Sequence, residues 1–533
     1  MNQYKNKRTL SPEKIIFSIW GIFILYMLIR QHADISDCLN AMAGHTRLLE
    51  LLVIILIAAE NYFFIKFSGN YTDMQKSILL FSIAMTVRIG VLPFFEYIPT
   101  NDFENYFNGA LHFAENGFKG GVYDPLLSYG IPSFAGQAVI NGLLLRILSP
   151  TLLGFQILNC LYTSGICVMI YLLGQEVNSR AALFGAVFYT FYPSNILSAQ
   201  ITTPHHGATF FMLLGLYFYS SGFKTAGIKR KVFLFLSSAL CLAISNFYHP
   251  SAAIIICAIT AHALLFTLHE AVKSPQKFFY FIKNEIKNGR DMLLPAFAVI
   301  LVYAVIFNIS IFLMTESGYY TGTIRLPNIY KIVVGFNFDT KGGWNAEDYT
   351  YMMEPSSEEA TAKGLKRIQE RLSEHSRTEI LELMIEKTDN VWFKTDNYFG
   401  FHIDGKQQRI NNTDSSAVPS VHMFYKEKWE QYQSLMNEIC TVDNLFVYGM
   451  WMLALAGLFY VLFTAISSIL NLLIYIPLGW MLFIMISEAQ SRYRYPAMSI
   501  IILLAGCGLY VIHSSWMPYI RKSLRHILFT RKK

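Results

Sequence analysis

Apolar residues dominate the chain in long blocks separated by short polar stretches. A membrane-crossing helix needs about 20 mostly apolar residues. Blocks near 12–30, 48–66, 78–98, 151–173, 181–199, 207–223, 231–248, 251–268, 292–314, 444–464, 467–487 and 496–514 meet that requirement. The pattern therefore predicts about 12 transmembrane helices. Two long polar segments interrupt it, 99–151 and 315–443. In the first, Phe103, Tyr106, Phe107, Ala110, Leu111 and Ala114 recur at helical spacing. This predicts an interfacial helix over 103–116, with a second over 134–149. In the second segment, helices are expected over 357–374 and 378–390, with turns at Gly342-Gly343 and Asp404-Gly405. The fold class is an all-α polytopic membrane protein with outer interfacial helices and a small outer subdomain. Its expected divisions are an N-terminal hairpin (1–77), a transmembrane core (78–314), the outer subdomain (315–443) and C-terminal helices with a basic tail (444–533).

Composition sharpens this picture. The chain has 533 residues, 53% hydrophobic and only 15% charged, against about 25% charged for a soluble domain. Its net charge of +7 reads as membrane topology, and no nucleic-acid partner is expected. Lys5, Lys7 and Arg8 start the chain in the cytoplasm. Alternation then puts Lys224 to Lys231, Lys273 to Arg290 and the tail with Arg521, Lys522, Arg525 and Lys532 inside as well. The two polar segments consequently lie outside. The seven cysteines show no zinc or disulfide spacing, although Cys38 and Cys440 lie outside apolar runs. The first apolar run, Ile15 to Ile29, lacks a cleavage site and is not expected to be a signal peptide.

Candidate chemistry gathers at the outer ends of the spans. Asp102 follows the third span directly. It suits a helix N-cap, or a partly desolvated general base for a hydroxyl. Glu104 is the second carboxylate, about 200° round a helix from Asp102. Arg492 and Arg494, in Glu488 to Pro496, are cations on an outer loop, against the positive-inside bias. They suit a phosphate, or they are membrane anchors. His205, His206 and His249 sit at outer ends and line a cavity; adjacent histidines diverge on a helix, so no metal site is expected from them. Asn337 and Asp339, in the stretch Val334 to Asp348, are turn residues that could also hold a sugar.

In order, these pieces are a first-loop Asp, an interfacial helix, the hairpin Phe191-Tyr192-Pro193-Ser194-Asn195, a large outer loop and Arg492-Tyr493-Arg494-Tyr495-Pro496. This order resembles the GT-C membrane glycosyltransferases of the protein O-mannosyltransferase and aminoarabinose transferase superfamily, from about Ile78 to Tyr510. The resemblance implies a GT-C-like core and inverting transfer of a sugar from a polyprenyl-phosphate donor, outside the cytoplasm. Asp102 would be the base, with Arg492 and Arg494 on the donor phosphate. Two departures stand out. Thr203-Pro204-His205 occupies the place of a Ser/Thr-Glu pair, and two spans precede the Asp loop. The acceptor (protein, cell-wall polymer or glycolipid) is open, as is a divalent metal. The competing class is a transporter or lipid flippase, which would carry ionisable residues near the bilayer midplane.

Overall fold

The computed structural model describes residues 12–31, 70–95, 97–127, 132–250, 252–273, 292–320, 326–327, 329–353, 357–394, 429–463 and 468–530; the expected span at 48–66, Cys38, most of the basic stretch after Lys273 and the Asp404-Gly405 turn lie outside them. Every regular element among the described residues is a helix. The protein is a multi-pass membrane protein. Among the described residues, six helices are long and apolar enough to cross a membrane: Asp73–Val91, Leu152–Gly174, Ile228–Tyr248, Leu293–Glu316, Met436–Leu462 and Ser491–Ser515. Shorter apolar helices cover Ser133–Leu148, Ala252–Leu268 and Asn471–Ile486.

In chain order the first helices are α1 (Pro12–Arg30), α2 (Asp73–Val91), α3 (Asn101–Asn116), α4 (Asp124–Leu127), α5 (Pro132–Leu148) and α6 (Leu152–Gly174). A capping box starts α2: the Thr72 hydroxyl accepts from the Gln75 amide, and the Gln75 side chain returns to the Thr72 amide. Pro93 follows its end, which is displaced from the expected 98. Next come α7 (Ser179–Phe191) and α8 (Pro193–Ser198), so the block expected as one span over 181–199 is two helices. Pro193 lacks an N–H and breaks the ladder, serving instead as the first residue of α8. After them run α9 (His205–Lys224), α10 (Ile228–Tyr248), α11 (Ala252–Lys273) and α12 (Leu293–Glu316).

The segment between these helices and the last ones folds as α13 (Tyr330–Gly335), α14 (Ala346–Met353), α15 (Ser357–Glu374) and α16 (Arg377–Thr388), which runs into a π turn at Asp389–Phe393. Leu326, Tyr330, Val333, Val334, Phe336, Met352 and Ile368 make a small apolar core of their own. The last helices are α17 (Trp429–Phe463), α18 (Ser468–Ile486) and α19 (Tyr495–Thr530), the last preceded by a 3-10 turn at Ser491–Arg494. Small residues bring α17 and α19 into backbone contact. A Cβ on Gly457 would lie 1.9 Å from the Leu504 carbonyl oxygen, and one on Gly508 2.0 Å from that of Leu453. Midway along α17 the buried Asp443 accepts from the Ser194 amide (2.9 Å) and hydroxyl (2.6 Å). A carboxylate thus sits at the positive end of α8 and pins α17 to it.

Candidate active site

Asp102 lies at the start of α3. The helix begins two residues earlier than a cap at Asp102 would allow. Thr100 holds the cap position, its carbonyl accepting from the Phe103 and Glu104 amides and its side chain making no cap bond. Asp102 therefore stands in the first turn, where the helix dipole favours its charge. Asn101 enters the helix with φ +52°, a left-handed value that Asn tolerates better than most residues. Across the bundle, Thr202 fixes this junction: its hydroxyl donates to the Phe103 carbonyl at 2.7 Å and lies 3.1 Å from the Tyr97 hydroxyl. The apolar face of α3 is buried through Phe103, Tyr106, Ala110, Phe113 and Ala114.

Arg492 meets Asp102 from the other end of the chain. Its Nη2 donates to Asp102 Oδ2 at 2.6 Å. The guanidinium lies over the rings of Phe103 (5.2 Å) and Tyr493 (5.7 Å), and its Nε has no hydrogen-bond partner among the described residues. The side chain of Arg492 is 9% exposed and that of Asp102 31%. The arginine is thus the enclosed partner and the aspartate the one open to solvent. Glu104 is exposed on the other side of α3.

A second polar layer holds the loop that carries Arg492. Glu488 is buried and pairs with Lys331 of α13. The Tyr493 hydroxyl donates to Glu488 Oε2 (3.0 Å) and accepts from Lys331 Nζ (3.1 Å). Burial pushes the Glu488 carboxyl up, but Lys331 and Arg492 outweigh it, and the group is held below its ordinary value. Backbone bonds add to this, from the Glu488 amide to the Lys331 carbonyl (2.7 Å) and from the Ala489 amide to the Gly342 carbonyl (2.8 Å). The indole of Trp480 donates to the Tyr493 carbonyl.

His205 and His249 lie beside this layer with ring centroids 4.6 Å apart and planes tilted by 39°, and their rings are 6.2 and 5.8 Å from that of Tyr493. His205 Nδ1 lies 2.6 Å from the Thr203 hydroxyl. Burial, His249 and Arg492 all keep His205 well below the usual histidine range. Burial, Lys331 and Arg492 take His249 down to about 3. Both rings are neutral at physiological pH. His206 turns away, bonding the Ser198 carbonyl at 2.7 Å and meeting Tyr495 edge-on. Among the described residues no group of three or more His, Cys, Asp or Glu side chains is placed to hold a metal ion.

The structure leaves three other sequence candidates outside this cluster. Arg494 is buried and its Nη1 donates to the Val391 and Lys394 carbonyls, both at 2.7 Å, closing the π turn. Asn337 is buried, bonded to Asp348 Oδ2 (2.8 Å), which in turn receives Arg371 on its other oxygen (2.7 Å). Asp339 is exposed on the turn. Beyond these candidates stand Glu488, Lys331 and a further cation, Arg88. Arg88 is fully buried near the end of α2, donates to the Ala84 carbonyl at 3.1 Å and lies over Tyr189 at 5.4 Å. An arginine inside an apolar block was a readable signal for it.

No protein-family model matches the chain, and no curated protein matches it. Among solved structures, the chain is similar to an archaeal oligosaccharyltransferase, AglB from Archaeoglobus fulgidus, in complex with an inhibitory peptide and a dolichol-phosphate. There the identity is 12%, with 86% of this chain and 52% of that chain covered and a TM-score of 0.43. The same oligosaccharyltransferase tethered to an acceptor peptide gives 14% identity, 85% and 51% coverage and a TM-score of 0.46. ArnT from Cupriavidus metallidurans bound to undecaprenyl phosphate gives 12%, 83%, 79% and 0.35. The chain spans about half the length of the oligosaccharyltransferase chains it matches.

Proposed function

We propose that the protein is an inverting glycosyltransferase that moves a sugar from a polyprenyl-phosphate donor to a hydroxyl-bearing acceptor on the non-cytoplasmic face of a cell membrane. The observation that carries this reading is the contact between Asp102 and Arg492. It brings a carboxylate and an enclosed guanidinium into direct contact, which supports a proton acceptor beside a phosphate-binding cation. In this reading the Asp102 carboxylate takes the proton of the acceptor hydroxyl. The oxygen attacks the anomeric carbon from the face opposite the phosphate, and the bond from that carbon to the phosphate oxygen breaks. Arg492 stabilises the negative charge that builds on the departing polyprenyl phosphate. Neutral His205 and His249 offer hydrogen bonds to the same region without adding charge. The chemistry needs no redox cofactor, because the activated bond is already in the donor.

The transporter reading draws on Arg88, a cation inside a span. Arg88 lies one turn from the end of α2, away from the midplane position that ion coupling favours. Incubating purified protein with a polyprenyl-phosphate-linked sugar and a lipid extract tests the transferase reading. Donor consumption with release of polyprenyl phosphate is expected, and it should vanish in Asp102→Asn. Donor left intact under all acceptor conditions would overturn it.

A further inference from the structure

We propose that the Asp102–Arg492 ion pair is a donor-sensed latch, which holds the base engaged until a phosphate claims the arginine. The inference rests on the transferase reading above and concerns when the base becomes available. In the structure the catalytic carboxylate is occupied: its Oδ2 accepts the charged Nη2 of Arg492 at 2.6 Å. A carboxylate so paired is a poor proton acceptor, since protonation would cost it the pair.

The two partners differ in freedom. Arg492 is clamped between the Phe103 and Tyr493 rings on a loop fixed by Glu488, Lys331 and Trp480. Its Nε still has a hydrogen to give. Asp102 is the solvent-facing partner, in a first helical turn entered through a strained left-handed residue. An arriving phosphodiester therefore competes for a fixed cation, and the aspartate yields. Once released, Asp102 has lost its stabilising charge and faces an anion, both of which raise its affinity for a proton. The base is thus strengthened when donor is in place and weakened when it is absent. Acceptor hydroxyls and water are not activated without a sugar to transfer. When polyprenyl phosphate leaves, Arg492 recaptures Asp102 after its proton is lost to solvent. Donor binds first in this scheme.

The same coupling must appear in binding, because linkage is reciprocal. The probe is a short-chain isoprenyl methyl phosphate, a diester whose single charge does not titrate near neutral pH, bound to full-length protein in detergent. Asp102→Asn removes the competitor and should bind the probe about fivefold more tightly than wild type. Glu104→Gln removes an equal charge two residues away that Arg492 does not touch, and should change affinity by less than about twofold. Wild-type binding should tighten as pH falls, because binding lets Asp102 take up a proton; Asp102→Asn should show no such dependence. The other groups facing the pair do not supply it. His205 and His249 are held neutral, Tyr106 and Tyr493 are phenols that stay protonated, and Lys331 is paired with Glu488. Equal or weaker binding by Asp102→Asn, or an equal gain in Glu104→Gln, would overturn the latch. Unchanged probe binding in Arg492→Ala would instead remove the phosphate role on which the latch rests.

Discussion

The Asp102–Arg492 junction and the Asn337–Asp348–Arg371 cluster are both polar and differ in what they leave unused. In the second, Asp348 is fully buried with each oxygen bonded. Asn337 uses its amide nitrogen on Asp348 and its oxygen on the Thr340 amide, and Arg371 also caps the Val333 carbonyl. At the junction, Arg492 keeps an unbonded Nε, His205 an unbonded Nε2, and Asp102 faces solvent. The Asp348 network is filled by its own chain, whereas the junction retains donors and a solvent-facing carboxylate that a ligand could engage.

The largest effect should come from breaking the open cluster. Asp102→Asn is expected to lower turnover by about 10²–10⁴-fold, the range for loss of a positioned base, with the protein still folded and inserted. Asp102 does not hold the cap position, so the change should cost α3 no more than about 1 kcal/mol of lost dipole interaction. Wild-type turnover in donor-consumption assays would break the contrast. Arg492→Ala should cost about 10²–10³-fold. Arg492→Lys should recover part of that, since it keeps charge but loses the planar fork.

Breaking the closed cluster should do the reverse. Asp348→Ala strands Arg371 and Asn337 and is expected to destabilise the outer subdomain by about 3–5 kcal/mol. Hydrogen exchange at Val333 to Gly343 would read this directly. Arg494→Ala belongs with this group, because it releases the two carbonyls of the π turn. It should cost about 1–3 kcal/mol, with probe binding preserved at temperatures where the fold survives.

A pH-dependent effect concerns Lys387. It is buried, and its Nζ donates to the Gly335 (2.7 Å) and Met485 (2.9 Å) carbonyls. Burial takes it from 10.5 to about 7, with nearby Glu488 opposing the fall. Between those values the unfolded chain binds the extra proton, so stability should rise with pH from about 7 upward. The thermal midpoint should climb over that window in wild type and lose the slope in Lys387→Met.

Much of the helical layout was legible in the chain. The surface helix at 101–116 and the pair at 357–374 and 377–388 follow from apolar spacing and lie within a residue or two of expectation. The count of about 12 spans was less so. Hydropathy does not register that Pro193 splits one block, nor that α9 opens on His205 and His206. Asp102 and Arg492 each stood out by local position, but nothing linear says that residues 390 apart meet. Lys331 and Glu488 were hidden for the same reason, since each looks like an ordinary loop charge until packing buries the acid. Arg494 shares its tripeptide with Arg492, yet the 3-10 turn sends the two side chains to different neighbours.

The length of α17 has a mechanical consequence. Its 35 residues extend to about 52 Å, against a hydrocarbon core of about 30 Å. From Asp443 to Leu462 the helix rises about 30 Å, one core thickness, and its apolar stretch reaches back to Met436, so the excess must be taken up by tilt or by leaving the lipid. Sliding α17 past α8 would break the two bonds from Ser194 to the Asp443 carboxylate, which resists such a movement. A thicker bilayer must compress or the helices must change tilt, and either response shifts the height of the Asp102–Arg492 junction relative to the lipid headgroups. In the transferase reading proposed above, bilayer thickness thereby becomes a control on how a membrane-bound donor is presented to the junction.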